Sequence, residues 1–106
     1  MIIKAYDWVA HYAHRHGDKT ACVDVHGGYR LSYRQLDERA CRLACYFTST
    51  LSLEKGDRIA ILAYNSADYL AVQQACVKTG IIMLPLNWRL TAPEISYQAG
   101  NAEPKA

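Results

Sequence analysis

Arg58-Ile59-Ala60-Ile61-Leu62-Ala63 and Gly80-Ile81-Ile82-Met83-Leu84-Pro85 decide the fold, together with the segment that joins them. The first is a nearly continuous apolar run, the pattern of a strand covered on both faces and so of a parallel sheet. Ser66 stands where a helix cap is needed, and Asp68 falls in the first turn, where negative charge favours the helix dipole. Gly80 is the left-handed residue expected behind Lys78 at the other end. Tyr69, Leu70, Val72, Cys76 and Val77 supply the apolar face of the helix between them. Ile81 to Leu84 then reads as a second buried strand, closed by Pro85. Strand, helix, strand makes a βαβ unit with a right-handed crossover.

Upstream, Ser32 and Gln35 have capping-box spacing, so a helix begins at Tyr33. Leu36, Ala40, Leu43, Ala44 and Phe47 mark its buried face, while Arg34, Glu38 and Arg42 mark the wet one, with Glu38 and Arg42 at pairing distance. It ends within Thr48 to Ser52, and Glu54-Lys55-Gly56-Asp57 makes a turn before the apolar run. Thr20 to Val25 and Tyr29 to Leu31 flank His26-Gly27-Gly28, which predicts a hairpin. Tyr6 to His16 is expected to be a helix that buries Val9, Tyr12 and Ala13 and stops at Gly17-Asp18. Downstream, Thr91 and Glu94 repeat the capping-box spacing with Pro93 in the first turn, so a last helix runs through Ile95 and Tyr97 toward Gly100. The fold class is therefore α/β: a β-hairpin plus a short parallel βαβ sheet with flanking helices.

With 106 residues, 51% of them hydrophobic and 21% charged, the chain has room for one domain's core at most. Twelve Lys and Arg against ten Asp and Glu leave a formal charge of +2 with no run of one sign, which argues against nucleic acid as a partner. Asp7 interrupts the N-terminus before an apolar signal core can form, and no stretch approaches the ~20 apolar residues of a membrane span, so a cytoplasmic protein is expected.

Chemistry-bearing residues are sparse. His11, His14 and His16 form the most metal-like cluster, but no carboxylate or thiol at conventional spacing completes a ligand set, so no metal site is expected. Cys22, Cys41, Cys45 and Cys76 contain no C-x-x-C pair and sit among apolar neighbours, which favours reduced, buried thiols. Cys41 and Cys45, at i and i+4, have soft-metal or redox spacing, yet core filling is the favoured reading. A nucleophilic Cys22 or Cys76 would need a positioned histidine, and all four histidines lie in the first quarter of the chain, so no such arrangement is expected; Asp37 and Glu38 point apart on a helix, so they read as surface charge and not as an acid/base pair. No residue is assigned a catalytic role.

Leu31-Ser32-Tyr33-Arg34-Gln35-Leu36 resembles the first core motif of the adenylate-forming, AMP-binding enzymes. The likeness continues in Lys55-Gly56-Asp57-Arg58-Ile59-Ala60-Ile61, in Asn65-Ser66 with Tyr69, and in Lys78-Thr79-Gly80. It extends through Pro85-Leu86-Asn87-Trp88-Arg89-Leu90 with Glu94-Ile95, a form most similar to fatty-acyl and aryl CoA ligases. The resemblance implies the start of the large N-terminal domain of an enzyme that joins a carboxylic acid to CoA through an acyl-adenylate, using ATP and magnesium. It places Arg89 near the phosphates of the CoA nucleotide, where a guanidinium forms forked hydrogen bonds.

Two local departures from the family pattern are present. Leu51-Ser52-Leu53 carries serine where the family has glycine, which makes a left-handed turn costlier. Ile81 and Ile82 stand where small residues commonly follow the glycine. The glycine-rich phosphate loop, adenine motif and catalytic lysine of the family have no counterpart among these residues. Residues 1–106 are thus expected to be an N-terminal fragment and not a complete domain, inactive alone, without a cofactor of its own, and prone to self-association through uncovered apolar strands. The alternative is a short, non-catalytic binding protein derived from such an enzyme.

Overall fold

The computed structural model describes residues 6–106. Its elements in chain order are α1 (Trp8–His16), β1 (Thr20–Asp24), β2 (Tyr29–Ser32), α2 (Tyr33–Cys45), a π-helical turn (Tyr46–Thr50), β3 (Arg58–Ile61), α3 (Ala67–Thr79), β4 (Ile82–Pro85) and α4 (Ala92–Ala102). The fold is mixed α/β, with β1 and β2 antiparallel and β3 and β4 parallel.

The caps anticipated from sequence do the local work. Ser32 Oγ accepts the Gln35 N–H at 3.2 Å while Gln35 Oε1 accepts the Ser32 N–H at 2.9 Å, a reciprocal capping box that starts α2. Ser66 Oγ accepts the Tyr69 N–H at 3.2 Å at the start of α3. Glu94 accepts the Thr91 N–H at 3.3 Å and the Thr91 hydroxyl at 2.8 Å, and α4 continues to Ala102, past the expected stop at Gly100. Gly80 ends α3 at φ +75°, and a Cβ there would meet Lys55 Cγ at 2.7 Å, so only glycine fits. Ser52 turns left-handed at φ +54° without glycine's freedom, as the departure from the family pattern anticipates.

Several expectations are corrected. The first helix starts at Trp8, because the Asp7 carboxylate caps it by accepting the Ala10 N–H at 3.0 Å. Val9 is buried, but Tyr12 lies on the surface with its ring 5.3 Å from that of Tyr33. Val25 leaves the strand for the turn, where Asp24 Oδ1 holds the Gly27 N–H at 2.7 Å.

In α3 the deeply buried stripe is Ala67, Ala71 and Ala75 with Cys76, while Tyr69, Leu70, Val72 and Val77 are only partly covered or exposed. Helix α2 packs on α3 with Ala40 fully buried, and methyl-sized side chains let the two axes approach. Cys41 and Cys45 are exposed, not core fillers, because their positions on α2 turn away from the buried Leu36 and Ala40. The expected Glu38–Arg42 pair does not form among the described residues.

One core cluster joins Phe47, Leu53, Ile59, Ala75, Cys76 and Ile81 beneath the parallel strands. The other joins Val9, Leu31, Leu36, Ala67 and Ala71 beneath the hairpin. The parallel pair, in register Ile59↔Met83 and Ala60↔Leu84, is covered on the face carrying Ile59 and Ile81. Ile82 remains 48% exposed, and Leu62 just past β3 52% exposed, so coverage of both faces does not hold within these residues. Residues 105 and 106 run beside β3: the Lys105 N–H donates to the Arg58 carbonyl at 2.8 Å and the Ala60 N–H to the Ala106 carbonyl at 2.7 Å.

Candidate functional site

Beyond the carboxyl ends of β3 and β4 lies a cleft of about 740 Å³, the position at which open α/β sheets bind ligands. One side is the hairpin turn with Asp24, His26 and Gly27, the floor is the β3–α3 link with Tyr64, Asn65 and Ser66, and the far side is Trp88 and Arg89 after β4. The Asn87 side chain accepts the Arg89 N–H at 3.0 Å, which folds the backbone after β4 into a compact turn. Tyr64 and Trp88 pack with ring centroids 4.4 Å apart at 58°. The Arg89 guanidinium lies over the Trp88 ring at 4.8 Å, a cation–π contact that fixes its direction without using its hydrogen-bond donors.

Asp24 is the hinge of the site. Its two oxygens accept the Gly27 N–H at 2.7 Å and the Ala67 N–H at 3.1 Å, so the hairpin is tied to the first turn of α3. These two bonds hold its carboxyl below the ordinary value, with a smaller contribution from His26, against a modest opposing effect of burial. The acid is thus committed to backbone donors. Arg89 forms no ion pair among the described residues and is exposed, which leaves a cation available to an anion entering the cleft.

Arg89 was legible in the sequence, whereas Tyr64, Trp88, His26 and Asp24 were not. An acid three residues before a glycine pair carries the signal of a side chain closing a turn, but nothing local places that turn beside Arg89. The other candidates are dispersed. His11 Nδ1 lies 3.3 Å from the Tyr6 hydroxyl, and the His16 ring stacks on Tyr12 at 6.4 Å. Asp37 turns inward to Lys78, and so is more than surface charge, whereas Glu38 is exposed. Among the described residues no helix is long and apolar enough to cross a membrane.

The fold and cleft are those of an α/β module with a ligand-sized opening beyond its parallel strands. The AMP-binding enzyme family model matches residues 9–106, and the chain belongs to that family. It is 40% identical over 70 residues to the fatty acid–acyl-carrier-protein ligase ScoC of Streptomyces coeruleorubidus, a match covering 66% of this chain and 13% of the relative. Against the long-chain-fatty-acid–CoA ligase FadD13 of Mycobacterium tuberculosis it is 36% identical over 77 residues, covering 73% of this chain and 15% of the relative. The crystal structure of the N-terminal domain of FACL13 from Mycobacterium tuberculosis superposes with a TM-score of 0.89 at 30% identity, covering 96% of this chain and 26% of that one. A putative long-chain-fatty-acid CoA ligase from Rhodopseudomonas palustris gives 0.83 at 34% identity, covering 91% and 24%. The chain therefore matches the N-terminal part of adenylate-forming ligases and spans a small fraction of their length.

Proposed function

We propose that residues 1–106 are the N-terminal segment of the large domain of a cytoplasmic acyl-CoA ligase, and that Arg89 binds a phosphate of the CoA nucleotide. The parent reaction has two steps. A carboxylate attacks the α-phosphate of ATP to give acyl-adenylate and pyrophosphate, and the CoA thiol then displaces AMP. Magnesium neutralises the phosphates in the first step. The residues present fit the CoA end of this scheme and not the ATP end: the cleft has a guanidinium held over an aromatic platform and without an acid partner among the described residues, and residues 1–106 contain no glycine-rich phosphate cradle. The observation that carries the reading is Arg89, free of carboxylates among the described residues, at the carboxyl ends of the parallel strands.

In the full-length enzyme, Arg89→Ala is expected to raise the KM for CoA about tenfold or more, since charge-assisted hydrogen bonds contribute about 1.5–3 kcal/mol, while carboxylate-dependent pyrophosphate exchange is spared. Lost exchange with unchanged CoA affinity removes Arg89 from this role. The name of the Streptomyces relative favours a second reading, in which the thiol acceptor is a carrier protein. A carrier's pantetheine arm has no adenine nucleotide, so Arg89→Ala would then leave acceptor KM unchanged.

The isolated 106-residue chain is expected to release no pyrophosphate with any carboxylic acid and to self-associate through the Leu62 and Ile82 face. Light scattering over a dilution series, with a pyrophosphate assay beside it, tests both. A monomer at high concentration defeats the second expectation, and acid-dependent pyrophosphate release defeats the first.

A further inference from the structure

We propose that Cys41 and Cys45 form a two-thiol site on the open face of α2 that captures a soft trivalent centre, an organoarsenic(III) group, as a bridge across one helical turn. This inference is independent of the ligase reading. Both cysteines are exposed, and they lie four residues apart on a helix of 13 residues. That spacing puts their Cβ atoms about 5–6 Å apart on one face, so a single atom bonded to both sulfurs closes the gap with small χ1 adjustments. Soft thiolate ligands select soft electrophiles over the hard cations that carboxylates hold. Once one sulfur is bonded, the second attacks within the molecule, so the bridge forms with the advantage of a high effective concentration.

The other two thiols lack this arrangement. Cys22 is half-buried on β1, and Cys76 is buried in the core, where burial pushes its thiol up and away from the reactive thiolate. Neither has a second cysteine one turn away. Among the described residues no group of three or more His, Cys, Asp or Glu gathers to hold a metal ion. Two sulfurs without a third protein ligand suit a centre that brings its own organic substituent. The site also sits at a structural junction: Cys45 is the last residue of α2 before the π-helical turn, and the Thr48 hydroxyl donates to the Ala44 and Cys45 carbonyls at 3.0 and 3.3 Å. A bridge there would brace the last turn of α2 where it passes into the π-helical turn.

The chemistry balances without an oxidant. Phenylarsine oxide and two thiols give a phenylarsenic dithiolate: two As–S bonds form, the As–O bonding is lost, and the oxygen leaves as water with both thiol protons. Arsenic stays trivalent and no sulfur is oxidised. Intact-mass spectrometry of the chain treated with phenylarsine oxide is expected to show a single phenylarsenic bridge per chain. That bridge should resist excess monothiol at least tenfold longer than the adduct of either single variant, and a small vicinal dithiol should remove it. Cys41→Ser and Cys45→Ser should each abolish the resistant adduct, whereas Cys22→Ser and Cys76→Ser should leave it intact. Wild-type chain should also melt at a higher temperature when bridged, with no such rise in Cys45→Ser. A resistant adduct that survives Cys45→Ser, or a wild-type adduct stripped by monothiol as fast as the single variants, overturns the proposal.

Discussion

Lys78 and Arg89 are cations at opposite ends of the same βαβ unit, and the protein uses them in opposite ways. Lys78, its side chain 13% exposed, is clamped between Asp7 at 2.7 Å and Asp37 at 2.5 Å, so that the cap of α1, the face of α2 and the end of α3 share one charge. Burial opposes its charge, but the bonds to Asp37 and Asp7 outweigh that and push its pKa up. Asp7 experiences the same contest: burial acts against the carboxylate, and Lys78 and the Ala10 N–H prevail, holding its carboxyl below the ordinary value. Arg89 has no acid partner among the described residues, sits on the surface, and rests on an aromatic ring. A cation with two buried-side partners has its charge neutralised and at most one of its three donors left for a ligand, whereas a cation steered by a ring keeps all of its own.

The largest effect expected from breaking this contrast is at Lys78. Lys78→Ala leaves Asp7 and Asp37 facing each other half-buried without compensation, and should cost about 2–3 kcal/mol, less than the roughly 3–5 kcal/mol of a fully buried pair because water reaches both acids. Urea unfolding measures it, and a loss below about 0.5 kcal/mol, the size of an ordinary surface substitution, would show that the triad is ornamental. Arg89→Ala should leave the urea midpoint of the same chain unchanged, which separates its role in binding from any role in folding.

The pH dependence of stability sharpens the comparison next. Asp7 has a folded pKa below its unfolded value, so its contribution is present above that unfolded value, about 4, and is lost as pH falls through the folded pKa. Lys78 has a folded pKa above its unfolded value of about 10.4, so its contribution is complete below that and is lost as pH rises through the folded pKa. Stability of the wild type should therefore fall off at both extremes. Lys78→Ala should shallow both limbs, and Arg89→Ala neither. An unchanged acid limb in Lys78→Ala would refute the coupling.

The smallest expected effect is a gain. Ser52 adopts φ +54° between the π-helical turn and β3, where a side chain crowds the backbone. Ser52→Gly removes that strain but adds freedom to the unfolded chain, for a net stabilisation of about 0.5–1 kcal/mol in urea unfolding. A destabilised variant would mean that the serine makes a contact worth more than the turn costs.

What was legible from residues alone was local in origin. Each cap is an interaction over three residues, Gly80 is a single backbone position, and the alternation of apolar runs with turn signals covers only neighbours in sequence, so hairpin, helices and parallel strands could be read directly. The same locality explains the misreadings. Cys41 and Cys45 share an apolar neighbourhood in sequence, but which side of α2 meets α3 is a property of the packed pair. The alanine stripe of α3 has no hydrophobic prominence and becomes core only because another helix needs room to approach. Asp7 and Lys78 are separated by 71 positions, and Asp24 reaches Ala67 across 43, distances over which no periodicity or spacing carries information. Arg89 could be named from its motif, but its aromatic platform, the committed acid opposite and the cleft between them exist only after the hairpin closes onto α3, because the turns that carry these groups come together in three dimensions and not along the chain.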